Sequence, residues 1–200
     1  MSDPIRFYFD FASPYGYFAS LEVESLGERT GRAIRWMPIM IGSAFKASGN
    51  LPLVAQPLKG AYSRHDWERS ARRLGAPYRF PDPFPVAALP TSRAYWWLAD
   101  RDTDLAKAYA RAVFHAFFAE NRAISEPAVA AEIGNGLGID AAALSAAIQD
   151  PVWKARLRDE TEAAIAEGVF GSPFFLVDGE GFWGADRLPQ VEEWVTRGGW

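Results

Sequence analysis

The sequence predicts an α/β fold interrupted by a large all-helical insertion. Three observations support this prediction. A strand, a helix and a second strand follow one another within the first 41 residues, an Ala-rich stretch over 61–168 carries helix signals but no convincing strand, and strand signals return at Val169. We therefore expect a core domain formed by residues 1–60 and 169–200, with an inserted helical domain at 61–168.

The first strand and the first helix meet at Ser13-Pro14. Ile5 to Phe11 is rich in aromatic residues without polar alternation, which is typical of a central strand buried on both faces. Ser is a favoured N-cap and Pro fits the first helical position, so a helix should begin here and end at Gly31. Its N–H groups and dipole favour an anion beside Ser13. An ordinary structural cap is the alternative interpretation.

Ala33 to Ile41 is predicted to form the second strand, parallel to the first and reached by a right-handed crossover. Residues 42–60 are dominated by Gly, Ser, Asn and Pro, which predicts a loop long enough to suggest a function. This segment contains Asn50 and, nine residues further on, Lys59. A lysine on a polar loop is most simply a solvated charge. Its spacing from Asn50 also makes it a candidate contact for a carboxylate.

The insertion is predicted to be a series of helices. Helical spacing and capping residues place them over Ala61–Leu74, from Thr91-Ser92 to Asp100, from Thr103 or Asp104 to Glu120, and from Ser125, Asp140 and Asp150-Pro151 onward. The Pro-rich segment 79–85 should be a loop. The aromatic residues of these helices are most simply core, and some are candidates to line an apolar substrate site.

A hairpin and a helix are predicted to complete the chain. Val169 to Val177 reads as the third strand, Asp178-Gly-Glu-Gly181 as a tight turn, and Phe182-Trp183 as a short returning strand. A last helix should start near Asp186, with this residue as a possible N-cap. The resulting order, β-α-β, helical insertion, then β-β-α, is that of a thioredoxin-like fold.

Composition excludes several functions. A net charge of −4 without a basic stripe argues against nucleic acid as a partner. The apolar runs are too short for a membrane span and the first residues lack a signal peptide, so we expect a cytoplasmic protein with no membrane partner. His65 and His115 show no metal-ligand spacing, and we expect no metal. A Ser-His hydrolase is also disfavoured, because the Gly-x-Ser-x-Gly elbow is missing.

The absence of cysteine is the most informative feature of the composition. In thioredoxin-like proteins the junction of the first strand and its helix normally holds Cys-x-x-Cys, with its thiolate stabilised by the helix N-terminus. Here the junction holds Ser13-Pro-Tyr-Gly16. A thiol used at this place must come from a soluble cosubstrate, and glutathione is the obvious candidate. Ser13 would then donate a hydrogen bond to the bound thiolate.

Four segments together resemble the 2-hydroxychromene-2-carboxylate isomerase family, which is related to the kappa-class glutathione transferases. They are Phe7–Tyr15, Gly49-Asn50 with Lys59, Gly168–Pro173 and Phe182–Leu188. The resemblance covers nearly the whole chain. It implies that Ser13 meets the sulfur of glutathione, that Asn50 and Lys59 contact glutathione, and that Asp186-Arg187 holds its γ-glutamyl end.

The resemblance also assigns roles to two turns. It implies a cis Ser172–Pro173 bond that presents the Ser172 backbone to the cysteinyl unit of glutathione, whereas the sequence alone favours a proline that starts an edge strand. At Gly184-Ala185-Asp186-Arg187, free N–H groups suit a carboxylate and Asp186 suits an ammonium. Ala12 and Ala185 depart from the strictest family pattern and leave the substrate preference open.

The resemblance implies a glutathione-dependent isomerase of 2-hydroxychromene-2-carboxylate-like aromatic catabolites. The thiolate would add reversibly to the substrate, permit rotation about a former double bond and leave again. A homodimer is also implied. A kappa-like glutathione transferase or peroxidase is the alternative, and a redox-inactive thioredoxin-like binding module is a more distant one.

Overall fold

The computed structural model describes residues 3–200, which contain a four-stranded mixed sheet. The strands are β1 (Ile5–Phe9), β2 (Ile34–Pro38), β3 (Phe174–Val177) and β4 (Glu180–Trp183), in the spatial order β2-β1-β3-β4. β1 pairs in parallel with β2 and antiparallel with β3, and β3 pairs antiparallel with β4. The predicted α/β class and the order of the two halves are confirmed.

Helices make up most of the remaining chain. They are α1 (Pro14–Thr30), α2 (Ile41–Ser48), α3 (Lys59–Leu74), α4 (Leu89–Ala99), α5 (Thr103–Phe118), α6 (Pro127–Asn135), α7 (Ala141–Gln149), α8 (Pro151–Ala166) and α9 (Leu188–Arg197). α1 begins after the N-cap Ser13 and ends at Gly31, which has a φ of +66°, as the sequence predicts.

The strands are shorter than predicted because turns occupy their ends. β1 stops at Phe9, since the carbonyl of Asp10 accepts a hydrogen bond from the N–H of Ser13 (2.9 Å) as the chain turns into α1. β3 begins only after Pro173, which has no N–H to donate to a neighbouring strand. The candidate site lies at the two turns that replace these strand ends, one after β1 and one before β3.

Residues 42–60 do not form the predicted loop. α2 starts at Ile41, a 3-10 turn covers Leu53–Ala55, and α3 starts at Lys59. The N–H of Ile41 donates to the carboxylate of Asp10 (2.9 Å), and this tertiary contact anchors the start of α2. Asn50 follows Gly49, the C-cap of α2, so the two predicted contact residues lie at helix ends.

The helical insertion between β2 and β3 is confirmed, although two predicted starts are wrong. Thr91 and Ser92 do not cap α4. They are buried in its first turn and donate their hydroxyl groups to the carbonyl of Ala88 at 3.0 and 2.8 Å. Glu126, not Ser125, precedes α6. The predicted division into domains at residues 60/61 and 168/169 stays a prediction.

The remaining elements of the insertion agree with the sequence. Asp140 and Asp150 cap α7 and α8 by accepting hydrogen bonds from the N–H groups of Ala143 and Val152. The Pro-rich segment 79–85 contains no helix or strand. The last helix differs, because Asp186 lies in a 3-10 turn and α9 starts two residues later, at Leu188. The interpretation of Asp186 as its N-cap is therefore wrong.

A buried aromatic cluster joins the sheet to the insertion. The ring of Phe9 lies 5.0 Å from that of Phe7 and 5.4 Å from that of Phe114 in α5. The hydroxyl of Tyr95 in α4 donates to the carbonyl of Trp36 in β2 (3.0 Å). Tyr95 and Phe114 are thus core residues, as predicted. Among residues 3–200, no helix has both the length and the apolar character needed to span a membrane.

Candidate functional site

One cleft of about 1,340 Å³ opens beside the turns that follow β1 and β2 and precede β3. All the residues that the sequence and the family resemblance assign to the site line this cleft: Ser13, Asn50, Lys59, Ser172, Pro173, Gly184, Ala185, Asp186 and Arg187. They come from four separate segments of the chain. The fold therefore brings together residues that the sequence holds as much as 174 positions apart.

Ser13 is both a helix cap and a link between two turns. Its hydroxyl oxygen accepts a hydrogen bond from the N–H of Gly16 (3.0 Å). The same hydroxyl lies 2.9 Å from the carbonyl oxygen of Ser172. Because a carbonyl has no hydrogen, Ser13 must be the donor in this bond. The hydroxyl predicted to meet a thiolate is therefore engaged within the protein.

Ser172 lies on the opposite side of this link. Its peptide bond to Pro173 is cis. The carbonyl predicted to face a ligand already accepts one hydrogen bond, from Ser13. The Ser172 hydroxyl oxygen accepts the N–H of Asp10 (2.9 Å). A Cβ placed on Gly16 would lie 3.1 Å from the Ser172 Oγ and 3.2 Å from the Ser13 Cβ, so the two serines crowd around this glycine.

Asp10 is a buried carboxylate that sequence reasoning missed. Its side chain accepts the N–H groups of Ala12 (2.8 Å) and Ile41 (2.9 Å) and ties the turn after β1 to the start of α2. Burial raises the pKa of Asp10 to about 6, against the opposing effect of the two N–H groups. Among residues 3–200, no cationic side chain forms a salt bridge with it. A single Asp in a run of buried aromatic residues was the available signal.

The charged rim of the cleft is exposed to solvent. Asn50, Lys59, Asp186 and Arg187 all have exposed side chains. Within the described part of the chain, no carboxylate lies within salt-bridge distance of Lys59. Asp186 and Arg187 form only a loose contact, with 3.9 Å between Oδ2 and Nε. Two cationic groups and one carboxylate are therefore available to a charged ligand.

A second wall of the cleft combines a polar contact with apolar side chains. The hydroxyl of Tyr15 donates to the carboxylate of Asp66 in α3 (2.6 Å). Burial, together with this bond, raises the pKa of Tyr15, which therefore stays protonated. The ring of Trp67 packs on Tyr15 and Phe84, at 6.1 and 5.9 Å between centroids. Sequence reasoning did not single out Tyr15, Asp66 or Trp67, because their proximity depends on how α3 packs on α1.

The two histidines lie in helices, as predicted. His65 is in α3 and His115 is in α5, where its Nδ1 lies 3.4 Å from the carboxylate of Glu120. Over residues 3–200, no group of three or more His, Asp or Glu side chains has a geometry suited to a metal ion.

The fold and the cleft define a thioredoxin-like protein with serine where such proteins normally hold a reactive cysteine. The chain belongs to the DSBA-like thioredoxin domain family, whose model matches residues 4–195.

Individual relatives agree with the resemblance found in the sequence motifs. The chain is 32% identical to a 2-hydroxychromene-2-carboxylate isomerase of Sphingobium xenophagum, over 98% of this chain and 99% of that protein. It is 30% identical to glutathione S-transferase kappa 2 of Caenorhabditis elegans, over 96% of this chain and 91% of the relative. A solved 2-hydroxychromene-2-carboxylate isomerase superposes with a TM-score of 0.87 at 29% identity, covering 96% of this chain and 94% of the other. The predicted family resemblance is confirmed.

Proposed function

We propose that the protein is a glutathione-dependent isomerase of 2-hydroxychromene-2-carboxylate-like aromatic compounds. The observation that carries the proposal is the cleft, where the serine turns meet two exposed cationic side chains, Lys59 and Arg187, and the exposed carboxylate of Asp186. The relative named as an isomerase supports the reaction type, and the relative named as a glutathione S-transferase supports the use of glutathione.

The donor set of the cleft fits glutathione. This tripeptide carries two carboxylates and one ammonium, and the cleft offers Lys59, Arg187 and Asp186 as groups of opposite sign. Asn50 adds an amide at the same rim. Lys59 and Arg187 would hold the carboxylates, and Asp186 would hold the ammonium. When bound, glutathione supplies the thiol nucleophile that adds reversibly to the conjugated double bond of the substrate and allows rotation.

The protein's own contribution is to favour the ionised sulfur. The N-terminus of α1 carries the positive end of the helix dipole, and Ser13 stands at that end. Thiols titrate near pH ~8.5 unless their surroundings favour the thiolate. A hydroxyl donor and the helix end together would lower this value for a sulfur bound beside the serine turns.

The apolar wall supplies a surface for an aromatic substrate. Met40, Leu53, Trp67, Phe84 and Val86 all line the cleft. Flat aromatic ligands bury most of their surface against such side chains. Tyr15 and Asp66 add a polar group beside them. This arrangement would hold the ring of the substrate next to the sulfur.

A kappa-like glutathione transferase or peroxidase is the second candidate, and the relative named glutathione S-transferase kappa 2, at 30% identity, favours the transferase. Both candidates use one site and differ in the fate of the thiol. An isomerase returns glutathione at every turnover, whereas a transferase or peroxidase consumes it. The predicted homodimer, the cytoplasmic location and the role in aromatic catabolism remain predictions.

Two measurements test the proposal. Calorimetry should detect glutathione binding that is lost in Asp186→Ala and Arg187→Ala and kept in Arg158→Ala, a change on the exposed surface of α8. Incubation with glutathione and a chromene carboxylate should change the absorbance spectrum while the free thiol concentration stays constant. Absence of binding at millimolar glutathione would exclude both candidate enzymes, and a stoichiometric loss of thiol would favour the transferase.

A further inference from the structure

The hydroxyl groups of Ser13 and Ser172 both line the cleft, and they differ in whether the hydroxyl hydrogen has an acceptor within the protein. Ser13 accepts one hydrogen bond, from Gly16, and donates one, to the carbonyl of Ser172. Its hydroxyl therefore has a protein partner both as acceptor and as donor. To donate to a ligand, it would have to abandon that carbonyl.

The hydroxyl of Ser172 is engaged only as an acceptor. Its oxygen takes the N–H of Asp10 at 2.9 Å. Within residues 3–200, no acceptor takes the hydroxyl hydrogen of Ser172. The residue is partly exposed and lines the cleft. Because the N–H of Asp10 donates to one side of the Ser172 Oγ, the hydroxyl hydrogen of Ser172 points away from this N–H.

We propose that the side-chain hydroxyl of Ser172 is a hydrogen-bond donor to the sulfur of a bound thiol, and that Ser13 holds the turn from which Ser172 donates. This inference rests on the proposed use of glutathione. Donation by Ser172 breaks no bond within the protein, whereas donation by Ser13 requires its hydroxyl to give up its bond to the Ser172 carbonyl. Ser172 would thus contribute through its side chain in addition to the backbone groups expected from the family.

The same hydroxyl has a purely structural alternative, in which it serves only to hold the N–H of Asp10. The two roles make different predictions about the sulfur. A structural role affects the stability of the protein, but it leaves the pKa of a bound thiol where the helix end sets it. A donor role lowers that pKa, since a hydrogen bond to the thiolate favours the charged form.

The test is the pKa of glutathione bound to the protein, measured from the ultraviolet absorbance of the thiolate as a function of pH. In Ser172→Ala we expect this pKa to rise by about one, which makes the ratio of thiolate to thiol about tenfold smaller at any given pH. Ser13→Ala should raise the pKa of the bound thiol less, because the N-terminus of α1 and the Ser172 hydroxyl remain. Ser20→Ala removes a buried hydroxyl from α1 outside the cleft, where it donates to the carbonyl of Tyr17, and serves as the control.

A matched pair guards against a folding defect in Ser172→Ala. Ser172→Thr and Ser172→Val have nearly the same shape and differ in the hydroxyl, and both suit the extended backbone before a proline. The thiol pKa should be lower in Ser172→Thr than in Ser172→Val. Equal values in the pair, or a rise confined to Ser13→Ala, would overturn the assignment to Ser172. If the wild-type protein does not bind glutathione, the proposed function fails together with this inference. If it binds glutathione but the thiol pKa does not depend on the Ser172 hydroxyl, only this inference fails.

Discussion

Replacing Asp10 with Asn should change how the stability of the protein depends on pH. Burial raises the pKa of this carboxyl from 3.8 to about 6. Between pH 3.8 and about 6, Asp10 keeps its proton in the folded protein but releases it in the unfolded chain. Ionisation of Asp10 therefore weakens the fold as the pH rises through this range. Asparagine does not ionise, so the variant does not lose stability in this way as the pH rises.

The size of the effect follows from the two pKa values. A rise from 3.8 to about 6 corresponds to about 3 kcal/mol, absent well below pH ~4 and complete well above pH ~6. About 2 kcal/mol of this falls between about pH 4.5 and 7.5. The variant also loses a bond to Ala12 or to Ile41, because an amide nitrogen cannot accept. That loss costs about 1–3 kcal/mol and does not vary with pH.

Urea unfolding followed by tryptophan fluorescence gives the free energy of unfolding at each pH. Relative to wild type, Asp10→Asn should gain about 2 kcal/mol between about pH 4.5 and 7.5. Asp140→Asn makes the same change at an exposed helix cap and serves as the control for replacing a carboxylate that accepts a backbone N–H. A stability difference between Asp10→Asn and wild type that does not vary with pH would refute the reasoning.

Three further changes test the site. Ser13→Ala removes the cap on the Gly16 N–H and the bond to the Ser172 carbonyl, and urea unfolding should show a loss of about 2 kcal/mol; unchanged stability would contradict the observed bonds. Gly16→Ala places a Cβ 3.1 Å from the Ser172 Oγ and should weaken glutathione binding in calorimetry without removing a polar group. Unchanged affinity would show that the turns carrying Ser13 and Ser172 can shift to accommodate the added methyl group. Lys59→Ala should weaken that binding about tenfold at low salt and less at high salt. Arg158→Ala is its control, and an effect independent of salt would argue against a charge contact.

The sequence predicts best where a short-range signal decides the structure. The Ser13-Pro14 pair places the start of α1, and Gly31 places its end, because capping depends on adjacent residues. The element order and the helical insertion also follow from local periodicity. The site residues were named largely through the family resemblance, and the structure places them in one cleft.

Structure that depends on distant contacts was not predictable in this way. The segment 42–60 has the composition of a loop, yet α2 forms there with its first N–H held by Asp10. Asp10 itself looks like an interruption in a buried strand, and its importance appears only when three turns converge on it. The different hydrogen-bond states of Ser13 and Ser172 likewise depend on a contact across most of the chain.

The position of the insertion has a consequence for how the protein folds. β1 and β2 are close in sequence, but the opposite edge of β1 pairs with β3, where Arg6 lies opposite Leu176. On the ribosome this edge must wait until the whole insertion has been synthesised, and an unpaired strand edge is prone to wrong pairing. The helices between β2 and β3 have local contacts and can form earlier. We expect the two serines to meet only when the C-terminal hairpin docks, so the site assembles in the last step of folding.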